Sequence, residues 1–526
     1  MKTAITLMMT LVLAAGLFCG IVLGQQPPPI PAQEQPEVLT SGPVHEAFAE
    51  PVILQNQSGL LVTKEPPPNI EEIPPAERPT GDHYVWIPGY WSWDEEKNDF
   101  IWVSACWRTA PPNMTWVPGY WSQVSGGREW VAGFWTSVDN QEMKYLPTPP
   151  MVEDVEAPGE PPSPDDIWVP PCPYWDQDQY IIRPGYWLPG RPDWVWVPSY
   201  YVWTPRGYFF CQGHWDYPLE DRGILFAPVY FPTDIYLRPG FTYTPTIVVD
   251  LSLLATSLFT YPRYCHYFFG DYYSDAYLSI GIFPWFDVDR IHTWYDPIYT
   301  YDRWNHRRDE RGWEDQQRHE YDRRRRDRDL RPPRTYHEME IRQAKKPPEQ
   351  QHNFRMAEPF TQLTASQSRM RFEHINSGEQ QKIATQATAV RAFGTERNHW
   401  EAEAARHESL PQPAEHKGTV SPPAEHREPV MTPEEHRVYA PPPEHATPPA
   451  PPPGHEERFI QPRETPIPFI PPHEVHITRP ERVRIPAPPF VGRQNAGGNP
   501  PPPRPMDEGR FQRETPRGNR QGGKGK

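Results

Sequence analysis

The sequence predicts a mostly β fold: two Trp-rich, four-stranded antiparallel repeat blocks with added short strands and loops, followed by a weak helical region and a disordered Pro-rich tail. Three observations predict it. Of the 21 Trp, 16 lie between Trp86 and Trp215, about a quarter of the 526 residues. Inside that stretch the hexapeptide "WVPGYW" at Trp116 recurs in altered form with a dominant period of 14 residues. Elsewhere 74 Pro and a mean hydropathy of -0.77 leave too little apolar surface to offset the entropy of ordering the chain.

The repeats set the elements. Units begin at Trp86, Trp102, Trp116 and Trp130, and a second series begins at Trp168, Ile182, Trp196 and Phe210. Repeat detection takes precedence over other fold assignments. Fourteen residues suit one strand of about eight to ten residues and a short turn, and flanks such as "HYVWIPGYWSWD" are rich in the residues strands prefer. Turn-prone pieces, "DEEKND", "SGGR" and "LPGRPD", separate the units, so consecutive strands are expected to pair antiparallel. The two blocks span residues 81–140 and 166–222. An acidic, Pro-rich linker is expected over 141–165.

The Trp residues of one unit stand five apart and would face opposite sides of an uninterrupted strand. Pro-Gly lies between them. Proline cannot donate to a ladder and glycine accepts dihedrals closed to other residues, so a bulge is expected at each pair, with Gly89, Gly119, Gly133 and Gly185 as the repeat glycines. Two readings of the aromatics stand side by side. Core packing is the plainer one, each ring burying roughly 150–250 Å². A ligand platform of exposed rings, using Trp91, Trp121, Trp135 and Trp187, is the sharper one, since flat sugar rings stack on such rows.

The units "WIPGYW", "WVPGYW", "WVAGFW" and "IRPGYW" resemble the WXXGXW repeat, also written YXWGXW, of exported bacterial proteins. Its motif falls on Trp86, Gly89 and Trp91; on Trp116, Gly119 and Trp121; and on Trp130, Gly133 and Trp135. Ile182 and Phe210 replace the first Trp of their units, and Cys106 and Cys172 sit in irregular ones. The resemblance implies export and a repeat fold. It implies no reaction.

The N-terminus carries its own export signal. Lys2 precedes a mostly apolar run from Ala4 to Leu23, so residues 1–24 read as a signal peptide; left uncleaved, the run is near the length of a membrane anchor, the one route to membrane contact. Cys19 follows Phe18, where lipidation calls for a small residue. The expected compartment is extracytoplasmic, periplasm or cell surface. Export makes disulfides possible among Cys106, Cys172, Cys211 and Cys265, with the pairing open. Residues 25–80 are expected to be a Pro-rich disordered segment.

After the repeats, residues 223–302 stay aromatic and are expected to pack on them, with one short helix over Leu251 to Leu258 started by Asp250. Residues 303–346 interleave Arg with Asp and Glu; Arg323 to Arg326 offer a basic cluster, but the interspersed acids favour a solvated, internally paired polyampholyte. Residues 347–408 are expected to be partly helical, with Ser377 and Gln380 at capping-box spacing and a sparse stripe of Ile383, Ala387, Val390 and Phe393. In the tail, 409–526, His416, His426, His436, His445 and His455 recur in Pro-rich surroundings that spread them too far for one metal site.

The chemistry-bearing motifs are few. There is no GxSxG elbow, P-loop, HExxH or CxxC, and "HEVH" at His473 has the wrong helical spacing. No catalytic residue, metal site or cofactor is expected. Asp271 and Asp275 near His266 are the one polar group in an aromatic setting, and turn or edge residues explain them better than a hydrolase pair. A formal charge of -16 argues against nucleic acid as a partner. The expected role is an exported, non-enzymatic structural or surface-interaction protein of the cell envelope, its partners envelope proteins or glycan. The alternative is a carbohydrate- or peptidoglycan-binding module.

Overall fold

The computed structural model describes residues 35–408, apart from 55–58, 141, 153–155, 289–293, 348–354 and 367–369, together with the strand Arg482–Arg484. The expected signal peptide, 1–24, and the histidine series of the tail lie outside the described residues. Strands dominate and pair antiparallel in many small sheets, as the repeats lead one to expect.

The eight units build four long hairpins, each from two consecutive units. The first contains Tyr84–Ile87, Tyr90–Asp94, Asp99–Val103 and Cys106–Thr109. The second contains Met114–Val117, Tyr120–Val124, Gly127–Val131 and Phe134–Ser137. The third contains Asp166–Val169, Cys172–Asp176, Gln179–Arg183 and Tyr186–Pro189. The fourth contains Val195–Val197, Tyr200–Thr204, Gly207–Cys211 and His214–Asp216.

Each hairpin is interrupted at mid-length, and the interruption differs from the expected bulge. A bulge sets an extra residue on one strand against the other. Here pairing keeps its register: Val117 faces Phe134 before the break and Tyr120 faces Val131 after it, so Pro118-Gly119 stand opposite Ala132-Gly133. Two residues face two. Both strands leave the ladder together because proline on one side removes a donor and the facing strand breaks with it.

The break explains the paired Trp residues. Trp86 faces Trp107 and Trp91 faces Trp102 in the first hairpin; Trp116 faces Trp135 and Trp121 faces Trp130 in the second. In the third, Trp168 faces Trp187 and Trp175 faces Tyr180; in the fourth, Trp196 faces Trp215 and Tyr201 faces Phe210. The six Trp–Trp pairs have centroids 5.0–5.3 Å apart and tilted or edge-on planes. That geometry matches the ring quadrupoles and adds about 0.5–1.5 kcal/mol per pair beyond burial. The two halves of a hairpin serve different cores: Trp86 and Trp107 join Ile224 and Phe360, whereas Trp91 and Trp102 join Phe231 and Tyr264.

Several expected boundaries move. Residues 39–53, expected to be disordered, run through the interior, with Val44, Ala47, Phe48 and Val52 fully buried. Gly42–Pro43 pairs with His266–Phe269, and Val52–Ile53 with Trp294–Tyr295. The prolines of residues 25–80 flank this segment, so an average over the whole stretch hides its apolar run. The expected linker begins instead with a strand, Glu142–Leu146, that pairs with Gly207–Cys211 of the fourth hairpin.

Strands of the aromatic extension join the first hairpin, Gly223–Leu225 adding to Cys106–Thr109, and Leu258–Tyr261 forms a hairpin with His266–Phe269. Asp250 does cap a helix, accepting from the Ser252 amide, but it spans Leu251–Leu254 before tightening to 3₁₀. The polyampholyte forms a helix, Glu310–Arg326, that is less solvated than expected. Trp313 and Arg324 are buried, and Arg324 Nη1 donates to Thr256 O at 2.9 Å and Ser257 Oγ at 2.6 Å. Its neighbours pair with acids, Arg323 with Glu320 and Arg325 with Asp275.

The terminal helix, Ser377–Glu408, is longer and better anchored than its composition suggests. The cap lies one residue earlier than expected: Asn376 Oδ1 accepts from the Glu379 amide at 3.0 Å while Glu379 Oε2 accepts from the Asn376 amide at 3.1 Å. Ala387 and Val390 are buried and Ile383 and Phe393 pack at the edge of two clusters, so the sparse stripe does face the repeats. Among the described residues no helix is long and apolar enough to cross a membrane.

Candidate functional site

The breaks leave backbone groups without ladder partners, and buried backbone groups need partners. In the second hairpin the Gly119 and Gly133 amides both donate to Glu46 Oε1, at 3.3 and 3.1 Å. Arg397 Nη1, from the terminal helix, donates to the carbonyls of Pro118 and Ala132, both at 3.1 Å. In the first hairpin the Gly89 and Ala105 amides donate to Glu72 Oε2 at 3.1 and 3.0 Å, and His45 Nε2 lies 3.1 Å from the Pro88 carbonyl. A buried carboxylate from the N-terminal segment thus completes each break of the first block.

Glycine is needed there for room, since Gly89 and Gly119 lack the left-handed dihedrals first assigned to them. A Cβ on Gly119 would lie 2.6 Å from both the Trp130 ring and Glu46 Oε1, and one on Gly89 would lie 2.6 Å from Glu72 Oε2. Gly133 and Gly185 are closed in the same way by the rings of Trp116 and Trp168.

Burial pushes both carboxyls up to about 7, against the lowering effect of the amide donors and of Arg397 and Arg391. The indole N–H groups of Trp130 and Trp102 face these carboxylates and help hold their charge, although neither makes a hydrogen bond of good geometry. Beside Glu46, His266 Nδ1 lies 2.6 Å from the Tyr264 carbonyl, so its Nε2 is the acceptor for the Tyr90 hydroxyl at 2.7 Å. His266 is wholly buried, and burial drives its pKa down to about 3.

A second polar group adjoins it. Arg108 binds Asp216 through Nη2 at 2.7 and 2.6 Å, and Arg222 reaches the same carboxylate at 3.0 Å. Burial alone would raise Asp216, but the two guanidinium groups hold it below the usual carboxylate range. Arg108 Nε and Arg222 Nη1 also donate to the Ala47 and Phe48 carbonyls, at 3.0 and 2.8 Å. The cleft among Glu46, Glu50, Arg108 and Asp216 has about 20 Å³ of free space, room for about one water. These groups tie the N-terminal segment to the hairpins; substrate has no room there.

The residues singled out in the sequence disperse. Asp271 pairs with Arg331 at 3.7 Å, Asp275 lies at an exposed helix start beside Arg325, and His266 points inward to Tyr90. Among the described residues, Cys106, Cys172, Cys211 and Cys265 are not joined to one another by disulfides. Cys106 and Cys211 are buried in separate clusters, and burial raises both thiols far above their usual range. Trp91, Trp121 and Trp135 form no ligand platform: they are 3%, 9% and 4% exposed, each packed edge-on or tilted against its cross-strand partner.

Trp187 is different because its hairpin is different. In the third hairpin Trp168, Trp175, Tyr180, Tyr186 and Trp187 are only half-buried, while Ile181 and Ile182 are 47% and 45% exposed. Its break sets Pro170-Pro171 opposite Pro184-Gly185, so three of the four residues have no amide hydrogen and no buried carboxylate is required. One strand is steadied by the fourth hairpin: Tyr174 packs edge-on to Phe210 at 4.9 Å, and Tyr201 donates to the Pro173 carbonyl at 3.0 Å. The other, Gln179–Arg183, carries Tyr180, whose hydroxyl donates to the Pro147 carbonyl at 2.5 Å and whose ring packs edge-on to Tyr201 at 6.0 Å.

The exposed surface of the third hairpin is therefore the candidate site. Sequence reasoning included Trp187 but missed Ile181 and Ile182, whose signal was the replacement of a repeat Trp by Ile182. Glu46 and Glu72 had no signal, because they lie outside every repeat unit. No model of a known protein family matches the chain, and no curated protein and no solved structure matches it.

Proposed function

We propose that this chain is an exported, non-enzymatic envelope protein of the WXXGXW-repeat type, in which three Trp hairpins form a scaffold and the third presents a contact surface. The observation that carries the reading is the contrast among hairpins built from one motif. Trp86, Trp121, Trp130 and Trp196 are buried in theirs, whereas the third leaves two adjacent isoleucines about half exposed. Adjacent apolar residues exposed on one strand favour a protein partner.

A glycan is the second reading. Half-exposed Trp175 and Trp187 favour it, since sugar rings stack on indole faces. The test is a binding comparison of the whole chain, Ile181→Asp/Ile182→Asp and Trp187→Ala, using a photo-crosslinker at Gln179 in envelope fractions and co-sedimentation with purified peptidoglycan. Protein crosslinks that the isoleucine variant abolishes, without retention on peptidoglycan, are the expected result. Retention lost specifically in Trp187→Ala would replace this reading with the glycan one. N-terminal sequencing of protein from the extracytoplasmic fraction, expected to begin at Gln25, tests export.

A further inference from the structure

The strand Glu142–Leu146 pairs on two sides. Its Tyr145 and Leu146 stand opposite Phe209 and Tyr208 of the fourth hairpin, while Glu142, Met143 and Lys144 stand opposite Arg484, Val483 and Arg482 from far along the C-terminal region. The terminal helix reaches the same strand. Trp400 Nε1 donates to the Tyr145 hydroxyl at 2.8 Å, and that hydroxyl donates to Glu401 Oε1, also at 2.8 Å. The chain thus touches this strand in the last turns of the helix and returns to it at Arg482.

We infer that Glu142–Lys144 is a strand-docking site for the chain's own C-terminal region, and that Arg482–Arg484 seats there as a latch closing residues 409–481 into a loop. The sequence supports this occupant. "ERVRI", Glu481 to Ile485, alternates charged and β-branched residues with the period of a strand, and Pro480 and Pro486 bound it. A proline donates no amide hydrogen, so neither flank extends the ladder. Distance along the chain is no obstacle, because the entropy of closing a loop grows only with the logarithm of its length. The histidine series, His416 to His455, falls within the closed stretch.

The register also sets the strength. Arg484 stands opposite Glu142, an opposite-charge pair, whereas Arg482 stands opposite Lys144, two cations. Directly opposed like charges weaken a strand pair. Three residue pairs with one such conflict hold less firmly than the five pairs of Tyr120–Val124 with Gly127–Val131. The latch therefore opens more readily than the hairpins beside it.

Charge exchange in the full-length chain tests the register. Protection of residues 142–144 against hydrogen exchange should rise several-fold in Arg482→Glu, which sets an acid opposite Lys144, and fall several-fold in Arg484→Glu, which sets one opposite Glu142. Glu142→Arg with Arg484→Glu should return it to the parent level. Val483→Pro/Arg484→Pro removes a ladder amide in either alternation of the strand, so protection should fall at least about tenfold while the thermal midpoint of the core stays put. Under oxidation Glu142→Cys/Arg484→Cys should give an internally linked monomer far faster than Glu142→Cys/Arg482→Cys, since directly opposite residues lie within about 5.5 Å and diagonal ones do not. Shifts of the same sign in Arg482→Glu and Arg484→Glu, or unaltered protection in the double-proline variant, overturn the docking. A linked dimer puts the strand of one copy on another and overturns closure within one chain.

Discussion

Glu46 does two things that pull in opposite directions. It completes two glycine amides at the break of the second hairpin, and it puts a carboxyl where burial raises its pKa from near 4.5 to about 7. A raised folded-state pKa means the folded chain holds a proton that the unfolded chain has released. The contribution to stability is therefore full below about pH 4.5 and is lost as pH rises through 7. Glu46→Gln keeps an acceptor and removes the titration. Thermal or denaturant melts should show a stabilisation over the parent that is absent near pH 4.5 and grows to at most about 3 kcal/mol above pH 7. Burial pushes His45 and His266 down to about 4 and 3, so both are neutral through the window in which Glu46 titrates; a difference that stays flat with pH would refute the assignment. Arg397 poses the complementary case. It pairs with Glu401 at 2.8 Å, both wholly buried. Arg397→Met leaves Glu401 charged among the Tyr120 and Tyr145 hydroxyls and should cost about 3–5 kcal/mol, whereas Arg397→Met with Glu401→Leu should recover most of it. Equal losses in the single and double variants would show that the pair itself, not the stranded charge, matters.

The element that recurs is a hairpin broken at its centre. Space, more than dihedral freedom, sets its glycines. Gly119→Val should therefore destabilise by about 3 kcal/mol despite the good strand propensity of valine, since the new atoms meet the Trp130 ring and the Gly133 backbone. Trp187→Ala, on the half-exposed hairpin, should cost less. Calorimetry on both variants decides, and an unchanged midpoint for Gly119→Val would mean the break can open. The third hairpin offers a stabilising change. Its turn places Gln177 and Asp178 at φ +47° and +60°, the left-handed region that side chains other than Asn, Asp and Gly resist. Replacing the pair with Asn-Gly should raise protection of this hairpin against hydrogen exchange by roughly 1 kcal/mol, without touching Ile181 or Ile182. No gain would indicate that the turn is held by contacts beyond its own backbone.

At the scale of the molecule, residues before and after the repeats belong to the same core. Val44 and Phe48 lie in one cluster with Trp135 and Trp313, and Phe393 and Trp400 pack on the cluster of Phe134 and Tyr200. Limited proteolysis should accordingly leave a resistant fragment that begins before Thr40 and ends after Glu401, wider than the stretch from Gly81 to Asp302 that aromatic density alone marks out. Early cleavage within residues 39–53 or within 380–400 would show that these segments are dispensable to the core.

The sequence by itself determined what is local and periodic. Trp spacing set the strands, Pro-Gly set the interruption, the pieces between units set the turns, and Asp250 and the Ile383 to Phe393 stripe marked real helices. These follow from residues close in the chain, where period and turn chemistry act directly. Tertiary structure decided which rings stay exposed. "WVPGYW" and "IRPGYW" look alike as strings, yet the first is sealed by Glu46 and Arg397 while the second leaves Ile182 45% exposed. Those sealing residues lie 73 and 279 positions from the atoms they bind, and no local pattern announces a contact at that distance. The same holds for Cys106 and Cys211, counted together among candidate disulfide partners and buried by the fold in separate clusters. Burial is a property of what comes to rest on a surface, and here that was contributed by parts of the chain whose composition pointed elsewhere.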